Sequence, residues 1–226
     1  GLLGRNGAGK TTTMKMLLGL TKPTSGEVKI WGKSLQGNEK KLLPRIGSLI
    51  ESPGFYPNLT ATENLRIFAT LRGVPNNHAI QDALDLVGLP YKDKKLFSQY
   101  SLGMKQRLAI ALAVMHDPEL LILDEPTSML DPLAAANLLG MVRRINRELG
   151  VAVLICEHRL EDVFQTADQV LLMKKGRMLW KDTPEQIAEH LQQDPDSSRI
   201  YYGLPGSVRI FGELRKQGIY PEPVSY

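Results

Sequence analysis

The sequence predicts an open α/β fold in which strands and helices alternate along the chain. Three observations lead to this prediction: a glycine-rich segment at residues 4–11 and two continuous apolar runs at residues 120–123 and 151–156. Such apolar runs are typical of strands that are buried on both faces of a parallel sheet. Helical patterns separate these strands, and this alternation favours a parallel sheet with helices packed on its faces.

The glycine-rich segment reads GRNGAGKT and matches the phosphate-binding pattern G-x-x-x-x-G-K-[ST]. Its glycines let the backbone curl until successive N–H groups point at phosphate oxygens, and the helix behind it adds a positive N-terminal end. Lys10 can reach the β- and γ-phosphates of a nucleotide, and the Thr11 hydroxyl can bind Mg²⁺. The predicted phosphate-binding residues are Asn6, Gly7, Ala8, Gly9, Lys10, Thr11 and Thr12.

The apolar run at residues 120–123 ends in two acidic residues, Asp124 and Glu125. A parallel strand delivers such side chains to the carboxyl edge of the sheet, where a phosphate-binding loop also lies. We expect Asp124 to hold Mg²⁺, directly or through water, and Glu125 to orient and deprotonate an attacking water molecule. A strand that ends in Asp-Glu is weakly specific alone, and it becomes informative because it follows a phosphate-binding loop.

The composition is that of an ordinary globular chain. The 226 residues are 42% hydrophobic and 23% charged, with a formal net charge of +4. The basic residues are dispersed, which disfavours a nucleic-acid partner. The single cysteine, Cys156, excludes an internal disulfide and is expected to be a buried core thiol. No apolar run reaches the roughly 18 to 20 residues that a membrane-spanning helix needs, so another chain would have to supply any span.

Local patterns predict the remaining elements. Thr60 and Glu63 form a capping-box pattern that predicts a helix ending near Arg72. Asp131 followed by Pro132 predicts the N-cap and the first turn of a long helix that ends before Gly150. Further predictions are strands at 28–31 and 46–50, helices at 79–87, 101–116 and 184–193, and a hairpin of 169–173 with 177–181.

These elements divide the chain into a main domain and a tail. The helix-rich stretch at about residues 53–117 interrupts the alternation of strands and helices, and we interpret it as an inserted helical subdomain. The main domain is predicted to span residues 1–183. Residues 184–226 change character, with several prolines and glycines near the end, and are interpreted as a C-terminal accessory tail.

Residues 101–107 read SLGMKQR and resemble the signature loop of ATP-binding cassette (ABC) proteins, usually written LSGGQ. In that family two cassettes dimerise head to tail and enclose two ATP molecules. The resemblance implies that Ser101 and the Gly103 N–H contact the γ-phosphate that the partner cassette holds, again through the end of a helix. Leu102 stands where the commonest form of the loop has glycine. The implied fold is that of a P-loop NTPase, with a RecA-like core sheet and an inserted helical subdomain.

Members of that family usually carry two strands before the phosphate loop, including an aromatic residue that stacks on adenine. Only three residues precede Gly4. The resemblance therefore implies a cassette that is truncated at its N-terminus and lacks this aromatic contact.

Three further positions match landmarks of the family in the expected order. Asp131 matches the aspartate that crosses to the partner subunit, a role that is compatible with capping its own helix. His158 matches the switch histidine that contacts the γ-phosphate and positions water. Glu51 occupies the place of the glutamine that links the γ-phosphate and Mg²⁺ to the membrane domains. The resemblance therefore implies roles in catalysis for His158 and Glu51 and in metal binding for Glu51.

The two halves of the chain resemble different branches of that family. Segments similar to the ATPases of bacitracin-resistance and lantibiotic-immunity exporters are 51–53, 55–60, 63–65 and 101–104. Segments similar to the ATPases of energy-coupling-factor importers for vitamins and metal ions are 127–132, 144–150, 157–161 and 203–205. The two resemblances meet near residues 123–127. We hypothesise that the chain joins two branches by recombination, design or misassembly of sequence.

Together the resemblances imply the ATP-binding and ATP-hydrolysing subunit of an ABC transporter, of the type that exports peptide antibiotics or drugs. The implied cofactors are ATP and Mg²⁺. The implied partners are transmembrane permease subunits and a second cassette, identical or different, at the cytoplasmic face of the cell membrane. An importer ATPase of the energy-coupling-factor type and a catalytically incompetent cassette fragment are the main alternatives. An ABC ATPase that acts on ribosomes or DNA and a small-molecule kinase fit the motifs less well.

Overall fold

The structure is a computed structural model that describes residues 1–51, 53–74, 77–157, 164, 166–194 and 204–216. The described strands are β1 (Leu2–Gly4), β2 (Lys29–Ile30), β3 (Lys33–Ser34), β4 (Ile46–Leu49), β5 (Leu120–Asp124), β6 (Ala152–Cys156), β7 (Val170–Lys174) and β8 (Arg177–Asp182). The described α-helices are α1 (Lys10–Leu17), α2 (Glu39–Leu42), α3 (Ala61–Arg72), α4 (Asn77–Leu86), α5 (Leu102–Val114), α6 (Pro132–Leu149), α7 (Pro184–Gln193) and α8 (Gly206–Lys216). The chain divides into two compact units, Thr11–Cys156 and Gly1–Lys10 with Glu157–Tyr226.

Within the unit Thr11–Cys156, three strands form a parallel sheet in the order β4-β5-β6. The register pairs Ile46 of β4 with Leu120 of β5, and Leu120 with Ala152 of β6. The side chains of Leu121 and Leu123 are fully buried. The continuous apolar run therefore forms a central parallel strand, as the sequence predicts.

Helix α5 packs closely against β4. The residues of α5 from Leu108 to its end at Val114 are buried. A Cβ atom placed on Gly47 of β4 would lie only 2.0 Å from the carbonyl oxygen of Ala113. Glycine is required here because no side chain fits between the strand and the helix backbone. This contact fixes α5, and with it the residues at its N-terminus, against the sheet of the same unit.

An ion pair joins the segments that lead into β4 and β5. Arg45 makes two hydrogen bonds to the carboxylate of Glu119, and its guanidinium also lies 4.0 Å from the centre of the Trp31 ring. The Glu119 N–H donates to the Arg45 carbonyl at 2.9 Å. The hydrogen bonds from the guanidinium hold the pKa of Glu119 below its usual value. These contacts bring the starts of two neighbouring strands together.

The helix boundaries confirm the capping predictions. Thr60 caps α3, with its hydroxyl accepting from the Glu63 N–H at 3.3 Å while Glu63 accepts from the Thr60 N–H at 2.8 Å. Helix α3 ends at Gly73 and α6 ends at Gly150, both with left-handed backbone. Helices α3, α4 and α5 lie between β4 and β5 in sequence. Their assignment to an inserted subdomain, and the domain limits given above, stay predictions.

In the other unit, β1 pairs in parallel with β7, and β7 pairs in antiparallel with β8. The predicted hairpin is therefore confirmed. Helix α7 begins after Thr183, whose hydroxyl caps the Gln186 N–H, and it packs on β7 and β8. Helix α8, which the sequence analysis did not predict, packs against α7, where the Gln192 amide donates to the Glu213 carboxylate at 3.1 Å.

Among the residues that the structure describes, no helix combines the length and the apolar character needed to cross a bilayer.

Candidate nucleotide-binding site

The phosphate loop follows β1, whose residues Leu2 and Leu3 are buried. The loop has positive φ angles of +79° at Gly7 and +99° at Gly9, which residues with a side chain rarely adopt. Within the loop the Ala8 N–H donates to the Arg5 carbonyl at 3.0 Å, and the Ala8 carbonyl accepts from Gly176 at 3.0 Å. The β7–β8 turn therefore holds the loop from one side, while Arg5, Asn6 and Gly7 are exposed.

Lys10 is folded back across this loop. It is only 5% exposed, and its ammonium group donates to the carbonyl oxygens of Gly4 at 2.8 Å and of Arg5 at 3.3 Å. Burial of a cation is costly unless hydrogen bonds compensate it, and here the loop backbone provides them. Thr11 and Thr12 are exposed on the first turn of α1, which contains no acidic residue. The segment therefore offers a cation, two hydroxyls and a helix N-terminus, as anion binding requires.

The acidic end of β5 is assembled by the sheet register. Asp124 lies opposite Cys156 of β6, and carboxylate oxygens of Asp124 and Glu125 lie with the Cys156 sulfur within 4.8 Å of one another. Asp124 Oδ1 is buried and has no hydrogen-bond partner among the described residues. An unsatisfied buried acceptor is costly, so this oxygen fits a position that a cation or its bound water would fill. Mg²⁺ prefers oxygen ligands, so the carboxylates fit this ion and the thiol does not.

Glu125 lies just beyond the end of β5 in an unusual backbone conformation. Its φ angle is +51°, and its N–H donates to the Cys156 carbonyl at 2.9 Å. Left-handed backbone is strained for a glutamate and persists where surrounding contacts enforce it, as they often do at functional sites. Cys156 is fully buried, as the sequence predicts, and the structure adds that its backbone sets the position of Glu125.

The signature-loop residues lie at the N-terminus of α5. The Ser101 hydroxyl accepts from the Met104 N–H at 3.3 Å and caps this helix. Asp131 caps α6 in the same manner, with Oδ1 accepting from the Ala134 N–H at 2.9 Å. A Cβ on Gly103 would lie 3.9 Å from the Ala134 Cβ, so the first turns of the two helices are neighbours. Contacts of Ser101, Gly103 and Asp131 with a partner cassette stay predictions.

Glu51 follows β4 and forms an ion pair that the sequence analysis missed. Its Oε1 atom lies 2.9 Å from Nζ of Lys15 on α1. No local pattern signals this pair, because Lys15 and Glu51 lie 36 residues apart in the chain. Contacts of Glu51 with Mg²⁺ or phosphate stay predictions. His158, the predicted switch histidine, lies outside the described residues.

These features define a class of protein. A phosphate loop that opens a helix, a parallel strand that ends in adjacent acids, and a Ser-capped helix with the signature pattern are the parts of a nucleotide-binding cassette. The family model described as ABC transporter matches residues 1–128, more than half of the 226 residues. The chain belongs to the ABC transporter family.

Similar proteins support both branch resemblances. The chain is 50% identical to the bacitracin transport ATP-binding protein BcrA of Bacillus licheniformis over 179 residues, which cover 79% of this chain and 58% of that protein. It is 46% identical to the uncharacterized ABC transporter ATP-binding protein YcbN of Bacillus subtilis (strain 168) over 215 residues, or 93% of this chain and 70% of that protein. The structure of cbiO1 from Clostridium perfringens, part of the ABC transporter complex cbiONQ, superposes with a TM-score of 0.74 at 26% identity, covering 89% of this chain and 84% of that one.

The alignment lengths show whether one relative matches both halves of the chain and how much of each relative the chain spans. The match to YcbN covers 93% of the chain and therefore runs through the segment where the two branch resemblances meet. A single relative accounts for both halves, so a join between two branches is not needed to explain the sequence. The chain spans 58% of the length of the bacitracin transport relatives that it matches.

Proposed function

We propose that this chain binds and hydrolyses ATP as the nucleotide-binding subunit of an ABC transporter that exports a peptide antibiotic or a drug-like molecule. Family membership and 50% identity to a bacitracin transport ATP-binding protein support this proposal. The observation that carries the hydrolytic part is the acidic end of β5. There, a buried and unsatisfied Asp124 oxygen lies beside Glu125.

The proposed site draws its ligands from the loop at residues 4–11, from Glu51 and from the acidic end of β5. Backbone N–H groups of Asn6, Gly7, Ala8 and Gly9, with the Lys10 ammonium and the Thr12 hydroxyl, would hold the phosphates. Thr11, Asp124 and Glu51 would hold Mg²⁺, directly or through water. The bound Mg²⁺ would neutralise charge on the transferring phosphoryl group. These residues fit Mg²⁺ because they offer oxygen ligands and because the buried Asp124 Oδ1 has no hydrogen-bond partner among the described residues.

The residues of the chain would then perform a simple sequence of tasks. Lys10 stabilises negative charge on the β- and γ-phosphate oxygens. Glu125 accepts a proton from the attacking water and orients it in line with the bond that breaks, and His158 assists in placing this water. Ser101 and Gly103 of a second cassette would complete the site, with Asp131 contributing at the interface. The exposure of Ser101 and Leu102 at the start of α5, and of Asp131 and Pro132 at the start of α6, supports this assignment.

The same reasoning proposes the partners. Transmembrane permease subunits would supply the path through the bilayer, and the chain would act with them at the cytoplasmic face of the membrane. A second cassette, identical or different, would form the head-to-tail dimer. No nucleic acid takes part in this proposal, because the basic residues are dispersed along the chain.

The test is gel filtration of purified Glu125→Gln protein with and without ATP and Mg²⁺. The variant keeps the size of the side chain but cannot accept a proton, so we expect it to bind ATP and to elute as a dimer with ATP. Its release of phosphate should fall by at least about 100-fold relative to the parent, the usual effect of losing a general base. Glu148→Gln on the exposed surface of α6 is the matched control and should hydrolyse ATP at the parent rate.

Two results would contradict the proposal. Hydrolysis by Glu125→Gln at the parent rate would show that another group is the base. A monomer under both conditions, without bound nucleotide, would favour the catalytically incompetent cassette.

Importer function is the second candidate, favoured by the structural similarity to cbiO1 over 89% of the chain. Reconstitution with its permease in vesicles separates the two. Peptide-stimulated ATP hydrolysis would support export, whereas ATP-dependent uptake of a metal ion or vitamin would support import.

A further inference from the structure

The ion pair between Lys15 and Glu51 joins two segments that the proposed function places beside the nucleotide. Lys15 Nζ lies 2.9 Å from Glu51 Oε1, with side-chain exposures of 34% and 78%. Lys15 is one helical turn beyond Thr11, and long side chains on a helix lean toward its N-terminus. Lys15 therefore leans toward the first turn of α1, where Thr11 is expected to bind Mg²⁺, and its ammonium group pairs with the Glu51 carboxylate.

The charge on Glu51 makes this pairing consequential. In the family resemblance this position is occupied by a neutral glutamine, whereas Glu51 carries a negative charge. A carboxylate near a triphosphate is repelled by it, and near a cation it is attracted. The first turn of α1 contains no acidic residue that would add to this repulsion. Lys15 thus supplies the positive charge that pairs with Glu51.

We propose that Lys15 is a positioning residue that holds Glu51 by an ion pair until Mg²⁺ bound with the nucleotide takes its place. The inference rests on the proposed role of Glu51 at the metal. Lys15 and Mg²⁺ then compete for one carboxylate, and the segment after β4 has two alternative arrangements. An exposed ion pair is weak, so Glu51 can exchange Lys15 for Mg²⁺ at a small cost in free energy.

Competition between Lys15 and Mg²⁺ predicts that removing Lys15 changes the Mg²⁺ contribution to nucleotide binding in the opposite direction from a merely structural ion pair. If Glu51 must leave Lys15 to reach the metal, removal of Lys15 frees the carboxylate and strengthens the contribution of Mg²⁺ to nucleotide binding. If the pair persists in the bound state, removal of Lys15 adds repulsion and weakens that contribution. The measured quantity is the ratio of the dissociation constant in EDTA to that in Mg²⁺, because this ratio cancels the general loss of one positive charge.

The experiment is a double-mutant cycle on four proteins: parent, Lys15→Gln, Glu51→Gln and the double variant. Dissociation constants of a fluorescent ATP analogue are measured in Mg²⁺ and in EDTA. We expect Lys15→Gln to raise the ratio about threefold with glutamate at position 51, consistent with the strength of an exposed pair. With glutamine at position 51 the same substitution should leave the ratio unchanged. Lys15→Arg, which keeps the ion pair, should retain the parent ratio.

Lys22→Gln is the matched control, because Lys22 is an exposed lysine in the segment after α1. It should leave the ratio at the parent value in either background. Equal ratios for all four proteins of the cycle, or a lower ratio for Lys15→Gln, would overturn the inference while nucleotide binding by the parent upholds the proposed function. Absence of nucleotide binding by the parent itself would overturn both. Thermal unfolding of each variant confirms that the compared proteins are folded.

Discussion

In the phosphate loop, the buried Lys10 ammonium donates to two carbonyls of its own loop, those of Gly4 and Arg5. At the end of β5, by contrast, Asp124 Oδ1 is buried without a hydrogen-bond partner among the described residues. The loop comes from one continuous segment, and its charge is satisfied within that segment. Asp124 and Glu125 come from the end of one strand, β5, beside Cys156 of the neighbouring strand β6, and the buried Asp124 Oδ1 is left for a ligand.

The two regions therefore differ in how ligand binding should affect them. A loop with a satisfied cation keeps its shape without phosphate, so binding exchanges one set of acceptors for a stronger one. An unsatisfied carboxylate lowers the stability of the nucleotide-free protein and recovers it when a cation arrives. Variants in the loop should therefore weaken nucleotide binding, whereas variants at the acidic end should alter its dependence on the metal.

The largest expected effect is that of Lys10→Ala on nucleotide binding. The substitution removes a charge-assisted contact to phosphate worth about 1.5–3 kcal/mol, so affinity for a fluorescent ATP analogue should fall by about 10- to 150-fold. Fluorescence titration measures this change. Lys22→Ala, which removes an exposed lysine, should bind like the parent. An equal loss in both variants would show that net charge, and not the loop, governs binding.

The next effect tests the close packing of β4 against α5. Gly47→Ala places a Cβ 2.0 Å from the Ala113 carbonyl oxygen, so β4 or α5 must shift. Such overpacking costs about 2 kcal/mol, which a urea unfolding curve would show as a lower midpoint. Gly140→Ala is the matched control, because a Cβ there meets open space on α6 and should stabilise the helix by up to about 1 kcal/mol. Unchanged stability of Gly47→Ala would contradict this packing.

A smaller effect is expected from Asp124→Asn. Removing the unpaired charge should raise the unfolding free energy of the nucleotide-free protein by about 1 kcal/mol, while Mg²⁺ no longer strengthens nucleotide binding. Chemical denaturation and titrations with and without Mg²⁺ measure the two quantities. Asp82→Asn, at an exposed position of α4, should change neither quantity. A less stable Asp124→Asn protein whose nucleotide binding still responds to Mg²⁺ would show that Asp124 is neither an unsatisfied group nor the metal ligand.

The smallest effect concerns pH and the contact of α5 with β4. His116 accepts from Arg72 at 2.9 Å through Nδ1, and its Nε2–H donates to the Ile46 carbonyl at 3.2 Å. Burial, and then the Arg72 charge, lower the pKa of His116 from its usual 6.5. Because the unfolded chain binds the proton more readily, the stabilising contribution is complete above pH 6.5 and is lost as pH falls through the lowered pKa.

His116→Gln tests this contribution. Urea midpoints at pH 7.5 and pH 5 should differ less for the variant than for the parent, because glutamine does not titrate. Identical losses on acidification in both proteins would show that His116 does not contribute.

Much of the fold could be predicted from local patterns. The capping residues Thr60 and Asp131 lie where the sequence places them, because a capping side chain and its target N–H are three residues apart. The predicted strand at residues 28–31 is shorter in the structure, where β2 covers only Lys29–Ile30. Helix α8 escaped prediction because its segment begins after Pro205 with glycine, and packing on α7 stabilises it.

In the candidate site, too, local features could be predicted from the sequence and long-range contacts could not. Residues of the predicted phosphate loop could be named because one motif contains all of them, and their role in phosphate binding stays a prediction. The pairing of Glu51 with Lys15 spans 36 residues and could not be read from either motif. Neither could the approach of Cys156 to the acid pair, which depends on the register between β5 and β6.

The sequence by itself determined the phosphate loop, the caps of its helices and the strand that ends in Asp124 and Glu125, because each depends on residues close together in the chain. Only the tertiary structure decided which charges are satisfied. In the structure, backbone carbonyls accept hydrogen bonds from Lys10, and Glu51 forms an ion pair with Lys15. Asp124 Oδ1 has no hydrogen-bond partner among the described residues. The physical reason is that burial and hydrogen bonding depend on which segments meet, and strand register and helix packing fix those meetings.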